Sequence, residues 1–401
     1  MTPGARLQAA IECLDQVIAA ARDAGAAADT IVQRYFATRR YAGSKDRRAV
    51  RDLVFAAIRA LGERPLSGRA AMIGYARAHD PALLALFGQS PGGGPHAPGP
   101  LQHGEQAAEP GLAPAWLRPQ LVARFGPELA GAAALLERAP LDLRVNALKA
   151  SRAEVLAMHP ELAPTARAPL GLRAESGLDV AALAAFHQGM VEVQDEGSQL
   201  AAAAMRARPG ETIVDLCAGA GGKALAIAGD MANSGRIIAC DIDRGRLQAL
   251  APRAERAGAA VIETRLMNPG HEPEALADLA GQADGVIVDA PCSGSGTWRR
   301  NPESRWRLTP DRLARLTTTQ DRLLDLAVGL LRPGGRLTFV TCSVLPVEGE
   351  GRFAALLARH PQLQPDPACI PGETTPVAAR VLLPGDEGCD GFFIATARLN
   401  C

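Results

Sequence analysis

Lysine is nearly absent from this chain, with three residues at 45, 149 and 223 against forty arginines. In such a background a lysine suggests a site that wants a compact ammonium and not a planar fork. Aromatics make up only 4%, and no run approaches the roughly 18 uninterrupted apolar residues that a spanning helix needs. No membrane partner is expected. The opening stretch MTPGARLQAA carries no apolar signal core, so a cytoplasmic location is the default expectation. The eight cysteines, at 13, 217, 240, 292, 342, 369, 389 and 401, include no CxxC pair. That removes a zinc knuckle and a disulfide framework, and no metal is expected. Net charge is zero, so a nucleic-acid partner has to be sought in local clusters.

What is present falls into four stretches. Residues 1–87 read as helical: Leu7, Ile11, Leu14 and Ile18 recur at three- and four-residue spacing, as do the apolar positions of AVRDLVFAAIRAL. Between these runs lies RRYAGSKDRRAVR, a basic knot that reads as a solvated helix start capped by Ser44 or as an RNA-contacting surface. Residues 88–111 are rich in glycine and proline and read as a linker. Residues 112–190 form a small α+β middle module, with helices around WLRPQLVARFG, ELAGAAALLERA and SRAEVLAMH and a strand at DLRVNAL. From 191 to 401, short apolar strands alternate with helices (TIVDLCA, RIIACDID, AVIETRL, DGVIVDA and RLTFVTCS), which predicts an α/β, doubly wound, mostly parallel sheet. Ligands then sit at the carboxyl ends of its strands.

The first of those strands runs into Cys217, Ala218, Gly219, Ala220, Gly221, Gly222 and Lys223. Glycines between a strand and a helix let a ligand approach the backbone and meet free N–H groups. The next strand ends at Asp241, placed to accept hydrogen bonds from ribose hydroxyls. A phosphate loop is excluded, because Cys217 and Ala224 replace its first glycine and its metal-holding Ser/Thr. The loop alone implies an adenosine-containing cofactor, S-adenosylmethionine or NAD.

The fourth and fifth strands decide between these. DAPC ends in Asp289 and Cys292, and FVTCS ends in Cys342. Two thiols and a carboxylate converging on a cofactor crevice suit the methylation of cytosine carbon 5, a poor nucleophile until a thiolate adds to carbon 6. Asp289 is then expected to hydrogen-bond the base edge and help neutralise its N3. A free thiol is only a few per cent thiolate at pH 7. Lys223, Arg299 and Arg300 are the candidate sources of the positive field that would raise this fraction.

The stretches VQDEGSQLAA, DLCAGAGGK, DIDRGRL, DAPCSGSGTWRRNPESRW, LRPGG, TCSVLPVEGE and CDGFFIA closely resemble the Sun/Nop2 family of RNA cytosine-5 methyltransferases. The likeness is to its bacterial rRNA enzymes with an N-terminal NusB-like helical domain, which RRYAGSKDRRAVRDLVFAAIR resembles. It implies a Rossmann-like methyltransferase sheet at 191–401, a NusB-like domain at 1–87 and S-adenosylmethionine as cofactor. It further implies Cys342 as the nucleophile, Cys292 assisting release of the methylated RNA and Asp289 on the base. The loop from Cys217 to Lys223 would hold the cofactor with Asp241 on its ribose, and Lys223 would point into the site. The chain departs from the family at Ala220 and Ala224, at Met267–Asn268, where an aspartate usually meets the adenine, and at Gly349. Asn268 is the expected substitute for that aspartate.

Trp298, Arg299, Arg300 and Trp306 interleave cations and rings, a pattern that stacks on unpaired bases and tracks phosphates. The expected partner is RNA, ribosomal or transfer, met by a monomer. Two rival readings remain: a non-catalytic ribosome-assembly factor with a decayed cofactor site, and an NAD-linked oxidoreductase, which leaves the paired cysteines without a use.

Overall fold

The computed structural model describes residues 1–23, 25–88, 96–174 and 177–401. Its chain divides into two compact units, Met1–Glu137 with Thr297–Arg312, and Arg138–Gly296 with Leu313–Cys401.

The first unit is helical. Its α-helices are α1 (Pro3–Arg22), α2 (Ala28–Ala37), α3 (Ser44–Ala60), α4 (Gly68–His79) and α5 (Arg118–Phe125). In α1, Leu7, Ile11, Leu14 and Ile18 fall on one face and are all buried, as the spacing predicts. The expected cap at Ser44 is corrected. Gly43 enters in extended conformation as the last non-helical residue, its carbonyl already taking the first ladder bond from the Arg47 amide, and Ser44 is inside the helix. The expected helix around ELAGAAALLERA is reduced to a 3₁₀ turn, Ala132–Leu136, because Gly131 precedes it at φ +79 in left-handed conformation. In the Gly/Pro-rich stretch, residues 89–95 lie outside the described ones. Its far end is packed: the Ala108 and Gly111 amides donate to the Ala70 and Ala60 carbonyls.

The Trp/Arg segment belongs to this unit, and its chemistry differs from the expectation. Trp306 is 2% exposed within the helical core and donates its indole N–H to the Leu61 carbonyl at 3.1 Å. Arg305 is fully buried, its Nη2 donating to the carbonyls of Ile58, Arg59 and Leu61 at the end of α3. Arg307 does the same for Gly25 and Ala26. Trp298 is fully buried and Arg299 nearly so. The stacking role read for Trp298 and Trp306, and the phosphate role read for Arg299, are corrected by burial: no ring face meets solvent. Arg300 is half-buried. Trp306→Ala is expected to destabilise the helical unit by about 3–5 kcal/mol, the cost of emptying a core position of that size, read from denaturant unfolding.

The second unit holds two sheets. The smaller joins β1 (Leu141–Val145), β2 (Leu162–Pro164), β3 (Gly171–Ala174) and β4 (Val191–Val193) in the order β2-β3-β1-β4, all antiparallel. Helix α6 (Arg152–Met158) opens with a capping box between Ser151 and Glu154, and α7 (Ala184–His187) precedes β4. Then come α8 (Glu196–Ala203), β5 (Thr212–Asp215), α9 (Gly222–Asp230), β6 (Arg236–Asp241), α10 (Arg244–Ala257), β7 (Ile262–Leu266), α11 (Glu272–Ala275), β8 (Ala283–Asp289), α12 (Pro310–Leu330) and β9 (Leu331–Thr341). Helix α13 (Glu350–Arg359), β10 (Leu363–Pro365), β11 (Ala379–Leu382), α14 (Pro384–Glu387) and β12 (Phe392–Leu399) complete the chain.

The large sheet has the order β10-β12-β9-β8-β5-β6-β7, with β11 pairing β12. The five strands read from the sequence, β5 to β9, are parallel, and β12 runs antiparallel to β9. Alternate residues serve opposite faces: Ile213, Ile237 and Ile287 enter one core, while Val214, Ile238 and Val286 enter the other. Burial on both faces explains why these strands read as continuous apolar runs. The chain runs from β5 outward to β6 and β7, then crosses back to β8 and β9 on the other side of β5, so the sheet's switch point falls between β5 and β8, where α/β folds bind ligands. No helix among the described residues is long and apolar enough to cross a membrane.

Candidate functional site

Every candidate of the second unit lies at or just beyond the carboxyl end of one of the five parallel strands. After β5 the chain turns through Leu216–Gly221, with Gly219 at φ +54 and Gly221 at φ +82. A side chain at Gly221 would stand 1.9 Å from Leu250 Cδ1, so glycine there is required by both conformation and space. Gly219 faces open space. Its amide donates to Asp241 Oδ2 at 2.8 Å, and the Asp243 amide donates to Oδ1. Asp241 at the end of β6 therefore ties down the loop while keeping lone pairs for a hydroxyl-bearing ligand. Asn268, just after β7, is exposed, whereas Met267 before it is a core residue.

Lys223 occupies the first turn of α9. Burial works against its charge, but the Asp289 carboxylate, 2.6 Å from Nζ, overcomes this and holds the ammonium above its ordinary range. Asp289 keeps part of its side chain exposed. Behind this pair lies Asp215, 1% exposed, with neither carboxyl oxygen hydrogen-bonded. Burial and then the Asp289 charge raise it to about 7, with Lys223 partly offsetting them.

That position implies a pH effect on stability. An unfolded aspartate releases its proton near pH 4, whereas folded Asp215 holds it to about pH 7. The folded state therefore binds more protons across this window. Stability falls as pH rises from about 4 to 7 and levels off above, by up to ~4 kcal/mol from this one group. Asp215→Asn removes that contribution, so the variant is expected to gain on wild type between pH 5 and pH 8 in urea unfolding. An unchanged difference at the two pH values would refute it.

The two thiols meet. β8 and β9 pair in parallel register, Asp289 opposite Val340, and the turns that follow bring Cys292 Sγ to 3.4 Å from Cys342 Sγ. The Cys342 carbonyl accepts from the Gly296 amide. The hydrogen bond to Cys342, then burial, then the neighbouring Cys342 and Glu348 charges keep Cys292 protonated well above the ordinary thiol range. Two other thiols are held protonated: burial pushes Cys13 and Cys240 to about 12.

Both turns hang on one group the sequence reading left without a role. Glu348, fully buried, accepts from the Ser293 amide at 2.8 Å and from Gln320 Nε2 at 3.1 Å through Oε1, and from Ser343 Oγ at 2.7 Å through Oε2. Ser293 follows Cys292, and Ser343 follows Cys342, so one carboxylate fixes the residue after each thiol. Ser295 joins the network through Ser293 and Ser343. The only sequence signal was an acid shortly after Thr-Cys-Ser. Arg299 and Arg300, read as field sources, fall in the helical unit.

The residues fit S-adenosylmethionine. The loop leaves open space over Gly219, Asp241 offers acceptors at the end of β6, and Asn268 presents an amide at the end of β7. Among the described residues no group of His, Cys, Asp or Glu is arranged to hold a metal ion.

Residues 202–398 match a family model described as 16S rRNA methyltransferase RsmB/F. A probable ribosomal RNA small subunit methyltransferase B from Synechocystis is 38% identical over 272 residues, covering 64% of this chain and 60% of that protein. A protein of the same description from Bacillus subtilis is 33% identical, covering 71% of this chain and 66% of its own. The chain thus spans just under two thirds of these relatives. A solved methyltransferase homologue from Pyrococcus horikoshii is 25% identical, covering 71% of this chain and 99% of its own, with a TM-score of 0.58.

Proposed function

Taking residues 202–398 as a member of the RsmB/F family of 16S rRNA methyltransferases, we propose that the chain methylates carbon 5 of a cytosine in ribosomal RNA, using S-adenosylmethionine and a transient bond from Cys342 Sγ to cytosine carbon 6. The observation that carries this reading is the thiol pair itself, Cys292 Sγ 3.4 Å from Cys342 Sγ, on the turns that follow two adjacent parallel strands, one of which ends at Asp289.

Cofactor binding falls to the 217–222 loop amides, with Asp241 on the ribose and Asn268 on the adenine edge. When bound, S-adenosylmethionine supplies an electrophilic methyl group on a sulfonium. Cys342 adds to carbon 6, which makes carbon 5 an enamine carbon. Asp289, oriented by Lys223 at 2.6 Å, hydrogen-bonds the base edge where charge builds as the thiolate adds. After methylation carbon 5 loses its proton, the sulfur–carbon bond breaks and its electrons return to Cys342. The Cys292 thiol, already within hydrogen-bonding distance, steadies that returning thiolate and so speeds release. The target base must first leave its stack, at a cost of a few kcal/mol, so a loop or an unfolded RNA is the substrate.

The test is a covalent trap. Cys292→Ala, mixed with S-adenosylmethionine and RNA from cells lacking this protein, is expected to give an RNA-linked band on a denaturing gel. The band disappears when Cys342 is also replaced, and sequencing the trapped strand identifies the RNA, ribosomal or transfer. Wild-type 5-methylcytosine formation without any trapped band would overturn the assignment of the two thiols. Absence of both would turn the reading to an assembly factor.

A further inference from the structure

A second pocket lies away from the thiols, and no step above uses it. It holds about 390 Å³ and lies among β1, α8, the far end of α9 and the turn before β3. Its apolar walls include Pro169, Leu170, Leu200 and Pro371. Arg144 lines it and is 3% exposed. The Arg144 Nε donates to Gln194 Oε1 at 2.6 Å; its two terminal nitrogens make no hydrogen bond or ion pair among the described residues, and the Glu192 and Asp230 carboxylates attract the guanidinium from farther off. Gln199 also lines the pocket and is 5% exposed. Its amide nitrogen is committed to the carbonyls of Leu143 and Gln194, which fixes the amide's orientation, and its Oε1 is left without a partner. Asp230, at the end of α9, adds an exposed carboxylate to the lining.

An arginine fork without hydrogen-bond acceptors is an anchor for a ligand that presents a pair of them. An occupant that uses both charged groups must present two adjacent acceptors to the arginine and a separate donor edge to Asp230. It must also have flat apolar faces for the proline and leucine walls. Guanine has this pattern, with O6 and N7 on one edge and N1–H and N2–H₂ on the other, whereas adenine breaks the acceptor pair with its amino group. The volume admits a base with its sugar.

We propose that this pocket is a guanine-recognition site, with Arg144 on the O6/N7 edge and Asp230 on the donor edge. The base comes from a free nucleotide or from an unstacked position in an RNA strand. The proposal does not depend on the methyl-transfer reading, because neither the cofactor nor either thiol takes part.

Calorimetry on the full chain with GMP, AMP and CMP tests it. GMP is expected to bind at least about 10-fold more tightly than the others, the discrimination one bidentate pair provides. Arg144→Met is expected to abolish that preference. Should removal of this buried cation prevent folding, Asp230→Ala, an exposed change, still tests the site by cutting the preference several-fold. Short single-stranded RNAs carrying one G or an A in its place separate the sources. If RNA is the source, the G-containing strand binds more tightly than GMP and Asp230→Ala weakens it. If the free nucleotide is the source, GMP alone shows the preference. Equal binding of the three nucleotides, or a GMP preference unmoved by Asp230→Ala and by a folded Arg144→Met, would overturn the proposal.

Discussion

Cys342→Ala is expected to lose at least about 10⁴-fold in single-turnover methyl transfer, the scale on which removing a covalent nucleophile acts, while S-adenosylmethionine binding stays within a few-fold of wild type. The site gives the reason for the split. In the proposed function the cofactor contacts fall to the 217–222 loop, Asp241 and Asn268, whereas Cys342 stands after β9 against Cys292. Its removal costs the covalent step and little else. Cys292→Ala is expected to keep most of the first methyl transfer and to fail in release, so a burst of one methyl per enzyme is followed by slow turnover. Quench-flow with labelled cofactor distinguishes the two variants. Equal losses from both, with no burst, would mean that the thiols share one role.

Glu348→Ala is expected to be the most damaging change away from the reacting atoms. It strips acceptors from the Ser293 amide, Ser343 Oγ and Gln320 Nε2 inside a fully buried network. Buried donors left unpaired cost about 1–3 kcal/mol each, so a destabilisation of at least ~3 kcal/mol is expected. A drop in methyl transfer of about 10²-fold should follow from misplacing two thiol-bearing turns. Glu348→Gln separates the two roles, because it keeps shape and part of the bonding but removes the charge. That charge helps hold the Cys292 proton, so the pH profile of Cys292 alkylation is expected to shift to lower pH in the Gln variant. A profile that stays in place would make Glu348 a purely structural residue.

The parallel strands were legible because both their faces are buried, and the ligand loop because Gly219 and Gly221 adopt left-handed conformations that glycine serves. The placement of Asp241, Asp289, Cys292 and Cys342 at or just beyond strand ends was legible because each follows an apolar run. Trp306 was misread because a ring beside an arginine has the same composition on an RNA surface as in a core where the guanidinium meets helix-end carbonyls. Ser44 failed as a cap because an extended glycine before it supplied the first helical carbonyl. Glu348 and Arg144 escaped notice because their partners are distant in sequence. Glu348 meets Ser293 across 55 residues, and Arg144, inside DLRVNAL, reads as an ordinary strand residue.

The loop that leaves the sheet-bearing unit at Gly296 and returns at Leu313 gives the helical unit one of its own core side chains, Trp306, and the arginine that closes the end of α3. Neither half of this protein is therefore a cassette. Cutting the chain at residue 137 would leave a helical fragment with a hole where an indole belongs and a sheet-bearing fragment trailing a bare tryptophan and an unpaired guanidinium. Gene fusion or domain shuffling at that boundary meets the same obstacle, which ties the inheritance of the two units together.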